Sequence, residues 1–201
     1  MKLYFSPGAC SLAPHIVLLA SGQEYNIEHV DLRTKLTASG EDYRAVNPKG
    51  YVPALLLDDG RLLTETQVIL QYLADQVPGS GLAPAAGSFE RYQLMEWLAY
   101  LSSEVQKRFQ PLFKPGTSDE ARAALWAALA VPLTHLAAHV DGRDYVCGDG
   151  FTIADAYLFT ALGWAAFAGF SLDGWPALQV YQQRIGSLPA VREALRKEGL
   201  A

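Results

Sequence analysis

Hydrophobic and polar positions change rhythm once along this chain. Up to about residue 77 the apolar runs are short and alternate between strand-like and helix-like spacing. Lys2 to Phe5 predicts a strand. Ser11 to Ser21 predicts a helix stopped by Gly22, with Pro14 in its first turn, where a missing N–H costs little. Tyr25 to Val30 predicts a second strand, and Asp42 to Val46 a helical turn ended by Asn47-Pro48. Ala54 to Leu57 and Leu62-Leu63 flank Asp58-Asp59-Gly60, a hairpin signal. From Glu65 to Gln76, the apolar residues Val68, Ile69, Tyr72 and Leu73 fall at helical spacing. The order β-α-β then β-β-α makes a compact α/β plan.

Val77-Pro78-Gly79-Ser80-Gly81-Leu82-Ala83-Pro84 punctuates the chain and reads as a linker. Beyond it every period is helical. Leu94, Leu98, Leu101, Val105, Phe109 and Leu112 form one apolar stripe, which Pro111 and Pro115-Gly116 bring to an end. Ser118 to Val140 is alanine-rich and helical, with a kink expected at Pro132. Ile153 to Ala168 is apolar on nearly all faces, which predicts a buried central helix. Pro176 to Ile185 and Ala190 to Lys197 predict short closing helices. The chain therefore divides into an α/β domain over 1–78 and an all-helical domain over 86–201.

Composition narrows the function classes. Half of the 201 residues are apolar, and the formal net charge is −5 with no basic run, which argues against nucleic-acid binding. Nothing at the start reads as a signal peptide, and two cysteines are too few for a secreted disulfide scaffold. The longest apolar stretch, residues 156–170, falls short of the roughly 20 residues of a bilayer span. The expectation is a cytoplasmic protein with no membrane or nucleic-acid partner.

The chemistry concentrates at three places. Cys10 lies at a strand-to-helix turn, where unpaired N–H groups and the helix dipole favour an anion, so it is expected to lean toward thiolate. The residue three on is Ala13, so no resolving thiol follows and one-thiol chemistry remains. In Asn47-Pro48-Lys49-Gly50-Tyr51-Val52-Pro53-Ala54, Pro53 opens a strand or makes a cis turn; a cis bond would let Val52 present its backbone to an extended peptide. Thr64-Glu65-Thr66-Gln67 fits a capping box with Thr64 as N-cap. There Thr66 and Glu65 suit the carboxylate and ammonium of an amino-acid end. Thr152-Ile153-Ala154-Asp155 is a second capping box, with a structural role: Thr152 caps and Asp155 answers it in the core. The four histidines form no metal-ligand pattern, so no metal is expected.

These segments, in this order and spacing, resemble the cytosolic glutathione S-transferases, most closely the bacterial beta class. The matching parts are Tyr4 to Ser11 with Cys10, Asn47 to Leu55 with Val52-Pro53, Glu65-Thr66, Ser103-Glu104, and Phe151 to Asp155. The resemblance implies a thioredoxin-like N-terminal domain and an all-α C-terminal domain. It implies a homodimeric detoxification enzyme that uses glutathione as co-substrate. Val52 would pair with the cysteinyl part of glutathione beside a cis Pro53. Glu65 and Thr66 would hold the γ-glutamyl end and Lys35 the glycyl carboxylate. Ser103 and Glu104 would come from the partner subunit, and Cys10 would lie at the glutathione sulfur. Two positions depart from the pattern. Position 106, often histidine, is Gln106, which cannot titrate near neutral pH, although Lys107 could supply positive charge; position 99, often asparagine, is Ala99. Phe109, Phe113, Tyr157 and Trp164 are candidates for the pocket of a small hydrophobic electrophile. Tyr4 and Ser11 are fallback activators. The implied reaction attaches the glutathione sulfur to the electrophile, together with thiol-disulfide exchange through Cys10. The alternatives are a glutathione-dependent reductive dehalogenase and a non-catalytic dimeric binder of hydrophobic ligands.

Overall fold

The computed structural model describes residues Met1–Ala201. They form two compact units, Met1–Ala83 with Leu188–Ala201, and Pro84–Ser187.

The first unit is built on a five-stranded sheet of order β3-β2-β1-β4-β5. The strands are β1 (Lys2–Phe5), β2 (Asn26–Asp31), β3 (Leu36–Thr37), β4 (Ala54–Leu56) and β5 (Leu62–Thr64). β1 and β2 are parallel, with Leu3 opposite Ile27, and need the crossover helix α1 (Leu12–Ser21) between them. The other pairings are antiparallel, and β4–β5 is the hairpin expected over Asp58-Asp59-Gly60. The two-residue β3 has no signal of its own in the sequence. Gly22 ends α1 in the left-handed region, φ 67°, where a side chain would be strained.

Helix α2 (Thr66–Asp75) buries Ile69, Leu70, Leu73 and Ala74, whereas Val68 of the expected stripe is exposed. Its N-cap is Glu65, not Thr64, which ends β5. The Thr64–Gln67 box is therefore not formed. Glu65 stands at φ 71°, ψ 118°, a conformation that costs a non-glycine residue about 1–3 kcal/mol.

The last helix, α8 (Pro189–Lys197), also belongs to the first unit, packed on α1. The sequence places it with the helical domain. The burial of Val191 and Ala194, and a carboxylate from Glu198 just beyond the helix, bind it to the α/β unit instead.

The second unit is helical. It comprises α3 (Phe89–Tyr100), a π-helical turn over Leu101–Gln106, α4 (Lys107–Phe109), a 3₁₀ turn over Gln110–Phe113, α5 (Asp119–Val140), α6 (Ile153–Phe167) and α7 (Pro176–Gly186). The stripe Leu94, Leu98, Leu101, Val105 and Phe109 is buried throughout. Its four-residue steps across the wider π turn keep those side chains on the core side. Ser88 and Ser118 cap α3 and α5, accepting the N–H of Arg91 and Ala121. Helix α5 runs through Pro132 over 22 residues. By length and composition alone it is long and apolar enough to cross a membrane, whereas the 156–170 stretch singled out in the sequence is too short.

Helix α6 is the buried axis of this unit. At its start Asp155 accepts the Thr152 N–H and hydroxyl, each at 2.8 Å, the Val146 N–H at 2.8 Å and the Tyr181 hydroxyl at 2.7 Å. Burial holds the Asp155 carboxyl above its ordinary value despite these four donors.

Candidate functional site

Cys10 lies one residue before the N-cap of α1, Ser11, in the turn that leaves β1. Its thiol donates to the Val52 carbonyl oxygen at 3.0 Å, and the Thr66 side chain is a second hydrogen-bond partner of the sulfur. The loop before β4 and the start of α2 thus meet at Cys10, bringing together three segments far apart in sequence. The Val52–Pro53 peptide bond is cis.

The expected lean toward thiolate is not what this geometry produces. Burial pushes the Cys10 thiol up to about 11, outweighing the Thr66 hydrogen bond, and the Glu65 charge acts in the same direction as burial. In this state Cys10 is a neutral donor. Ser11 is not a free activator either. It is fully buried, and its hydroxyl closes the local turn by accepting from the Ser6 N–H at 3.1 Å and donating to the Ser6 carbonyl at 3.2 Å. Tyr4 is buried with its ring 5.4 Å from that of Tyr43.

The loop that carries Val52 is held from below. Asn47, almost fully buried, donates from Nδ2 to the Tyr51 carbonyl at 2.7 Å and accepts the Lys49 N–H at 3.2 Å. The Tyr43 hydroxyl donates to the same Tyr51 carbonyl at 2.8 Å, and burial pushes its pKa up to about 12, which keeps it a donor. Lys35 donates to the Gly50 carbonyl at 2.8 Å and lies 5.6 Å from the centre of the exposed Tyr51 ring. Lys35 itself stands at φ 62°. Glu65 is exposed and paired with Lys49, Nζ to Oε1 at 2.7 Å, while the same ammonium donates to Thr64 Oγ1 at 3.0 Å.

The other candidates belong to the helical unit. Ser103, Glu104 and Gln106 lie on the π-helical turn, a local irregularity often found where helices carry function, and Lys107 follows it. Arg108 engages the Glu104 carboxylate at 2.5 Å and holds its pKa below the ordinary value. The buried Tyr157 hydroxyl donates to Gln106 Oε1 at 2.5 Å. Phe109, Phe113 and Trp164 form one aromatic group, with Trp164 edge-on to both phenyl rings at 5.7 and 6.5 Å. Of these, Phe113 is largely exposed, whereas Phe109, Trp164 and Tyr157 are buried. Thr152 and Asp155 serve the fold as described above.

Several residues of the site carry little signal in the sequence. Lys49 and Asn47 sit inside the same motif as Val52 and Pro53, so position alone could have flagged them. Glu198 has no signal. Its carboxylate accepts the Gly8 N–H at 2.9 Å and pairs with His15 Nδ1 at 2.8 Å, joining the Cys10 turn to the end of the chain.

Comparison with known proteins places the chain in a family. The family model described as glutathione S-transferase, N-terminal domain, matches residues 8–76, and that described as glutathione S-transferase, C-terminal domain, matches residues 100–189. The chain is 48% identical over 200 residues to glutathione S-transferase GstA of Escherichia coli O157:H7, covering 100% of both. A sphingomonad glutathione S-transferase complexed with glutathione matches with a TM-score of 0.95 and 51% identity, covering 100% of each chain. A bacterial beta class glutathione S-transferase from Sphingomonas chungbukensis matches with a TM-score of 0.96 and 47% identity, again over 100% of each.

Proposed function

The chain belongs to the glutathione S-transferase family, and on that premise we propose that it joins the sulfur of reduced glutathione to small hydrophobic electrophiles. The observation that carries the reading is the convergence of Cys10, Val52 and Thr66, with Glu65 at the adjoining helix start. A backbone carbonyl, a hydroxyl and an exposed carboxylate suit a short peptide that ends in an amino-acid zwitterion.

In this reading Val52 and the cis Pro53 meet the cysteinyl part of glutathione. Glu65 takes the γ-glutamyl ammonium, Thr66 the neighbouring carboxylate, and Lys35 the glycyl carboxylate. Gln106 and Lys107 complete the set, and Ser103 and Glu104 join it from a second copy of the chain in a homodimer. The hydrophobic electrophile packs on Phe109, Phe113, Tyr157 and Trp164. Glutathione loses its thiol proton, its sulfur attacks the electrophilic carbon, and the leaving group departs with the bonding pair. Donors aimed at the sulfur favour its thiolate, and a shift of about two pKa units amounts to roughly 2.7 kcal/mol. The cytoplasm, where reduced glutathione is plentiful, is the compartment assigned to this activity.

The position of Cys10 supports a second activity. Its thiolate would attack one sulfur of oxidised glutathione, forming a Cys10–glutathione disulfide and releasing glutathione thiolate.

The test of the main reading is conjugation of glutathione to a chlorodinitrobenzene, followed as the thioether forms and chloride leaves. Glutathione-dependent thioether formation is the expected result. Chloride release with oxidised glutathione and no thioether would favour reductive dehalogenation. No turnover, with tight binding of an apolar dye, would favour the non-catalytic binder. Intact mass after exposure to oxidised glutathione tests the second activity: one glutathione adduct is expected, and it should vanish in Cys10→Ala.

A further inference from the structure

Lys49 is the one charged side chain paired with the carboxylate that the proposed function gives to the ligand's ammonium. We propose that Lys49 is itself a glutathione-binding residue, exchanging Glu65 for the α-carboxylate of the γ-glutamyl end. The inference rests on the reading that Glu65 receives the α-ammonium.

Three observations carry it. First, Lys49 is delivered by a fixed loop. Its N–H is held by Asn47 Oδ1 at 3.2 Å, Asn47 is buried and anchored to the Tyr51 carbonyl, and the Gly50 N–H returns to the Asn47 carbonyl at 2.8 Å. Gly50 turns the chain there at φ 67°. Second, the pair is open to exchange. The Lys49 and Glu65 side chains are 53% and 60% exposed, and solvent screens an exposed pair of this kind, so parting it costs little. The Glu65 carboxylate makes no bond to its own helix start, although its backbone is fixed at φ 71°. Third, the charges are complementary. An amino-acid end carries an ammonium and a carboxylate on one carbon. Inserted between Lys49 and Glu65, it replaces one ion pair by two of alternating sign: ammonium on Glu65, carboxylate on Lys49. The Thr64 hydroxyl, 3.0 Å from Lys49 Nζ, holds the lysine ammonium at the mouth of the site while the exchange occurs.

The experiment compares three peptides on the full-length enzyme. They are glutathione, its analogue with a 4-aminobutyryl group in place of γ-glutamyl, which lacks the α-carboxylate, and its glutaryl analogue, which lacks the α-ammonium. Lys49→Met should raise KM for glutathione about fivefold and leave KM for the 4-aminobutyryl peptide within about twofold. Lys49→Arg, which keeps the charge, should retain most of the affinity for glutathione. Because the comparison is a ratio of two substrates on one variant, a loss of folded protein cancels. A Lys49→Met enzyme whose KM for glutathione is unchanged or lowered, or raised equally for both peptides, overturns the assignment. Glu65→Gln is the separate arm. It should weaken glutathione and spare the glutaryl peptide; if it spares glutathione, the Glu65 reading fails whatever Lys49 does.

Discussion

At Cys10 two physical effects oppose each other: the start of α1 favours the thiolate, and burial favours the thiol. The strand-to-helix turn that sets up the first effect is local, and it is legible in the sequence. The second depends on residues more than 40 positions away, because Val52 and Thr66 close over the sulfur. Burial raises the pKa to about 11, so at pH 8 only about one molecule in a thousand carries the thiolate. Alkylation by iodoacetamide should accordingly climb about tenfold per pH unit from 8 to 10 and level off near 11. The measurement needs a Cys147→Ser background, because burial pushes Cys147 up to about 11 as well. Thr66→Val should move the midpoint higher, since it removes the hydrogen bond that lowers the pKa. A midpoint near 7 would show that the helix dipole prevails over burial after all.

At the scale of elements, the periodic segments are legible in the sequence and the irregular ones are not. The α2 pattern announces a helix, but not that it starts on Glu65 at positive φ, since no residue type there demands it. The stripe from Leu94 to Leu112 does not reveal the π turn at Leu101–Gln106, because four-residue steps fit either winding. Capping chemistry at α6 is legible because it is local. Asp155 takes four donors, two of them backbone N–H groups, and stands at the entrance of a helix that lies almost wholly in the core. Asp155→Ala strands those N–H groups without water. Each costs about 1–3 kcal/mol, so urea unfolding should show a loss of about 2–6 kcal/mol for the two together. By contrast Ser88→Ala removes one cap at the start of α3 and should cost about 1 kcal/mol. Similar losses for the two variants would mean that the Asp155 network adds nothing beyond an ordinary cap.

For the whole molecule, the division near the Pro- and Gly-rich linker is legible, but the return of the chain to its first unit is not. Sequence distance hides it: Glu198 meets His15 and Gly8 across more than 180 residues. Both the His15 and Glu198 side chains are fully buried. The carboxylate therefore does two things at once. It fixes the start of α1 through His15, and it fixes the turn that precedes Cys10 through the Gly8 N–H. Removing it leaves a buried histidine nitrogen and a buried amide without this acceptor, in a place where His15 Nε2 is already unpartnered. Leaving a buried polar group without its acceptor typically costs about 1–3 kcal/mol. Glu198→Ala should lose stability on that scale, and amide hydrogen exchange at Gly8 should accelerate well beyond that of amides in α6, which belongs to the other unit. Glu198→Gln, which keeps an acceptor oxygen, should fall between the two. If Glu198→Ala unfolds at the same urea concentration as the parent and leaves Gly8 protected, then the packing of α8 on α1, and not this carboxylate, holds the end of the chain to the Cys10 turn.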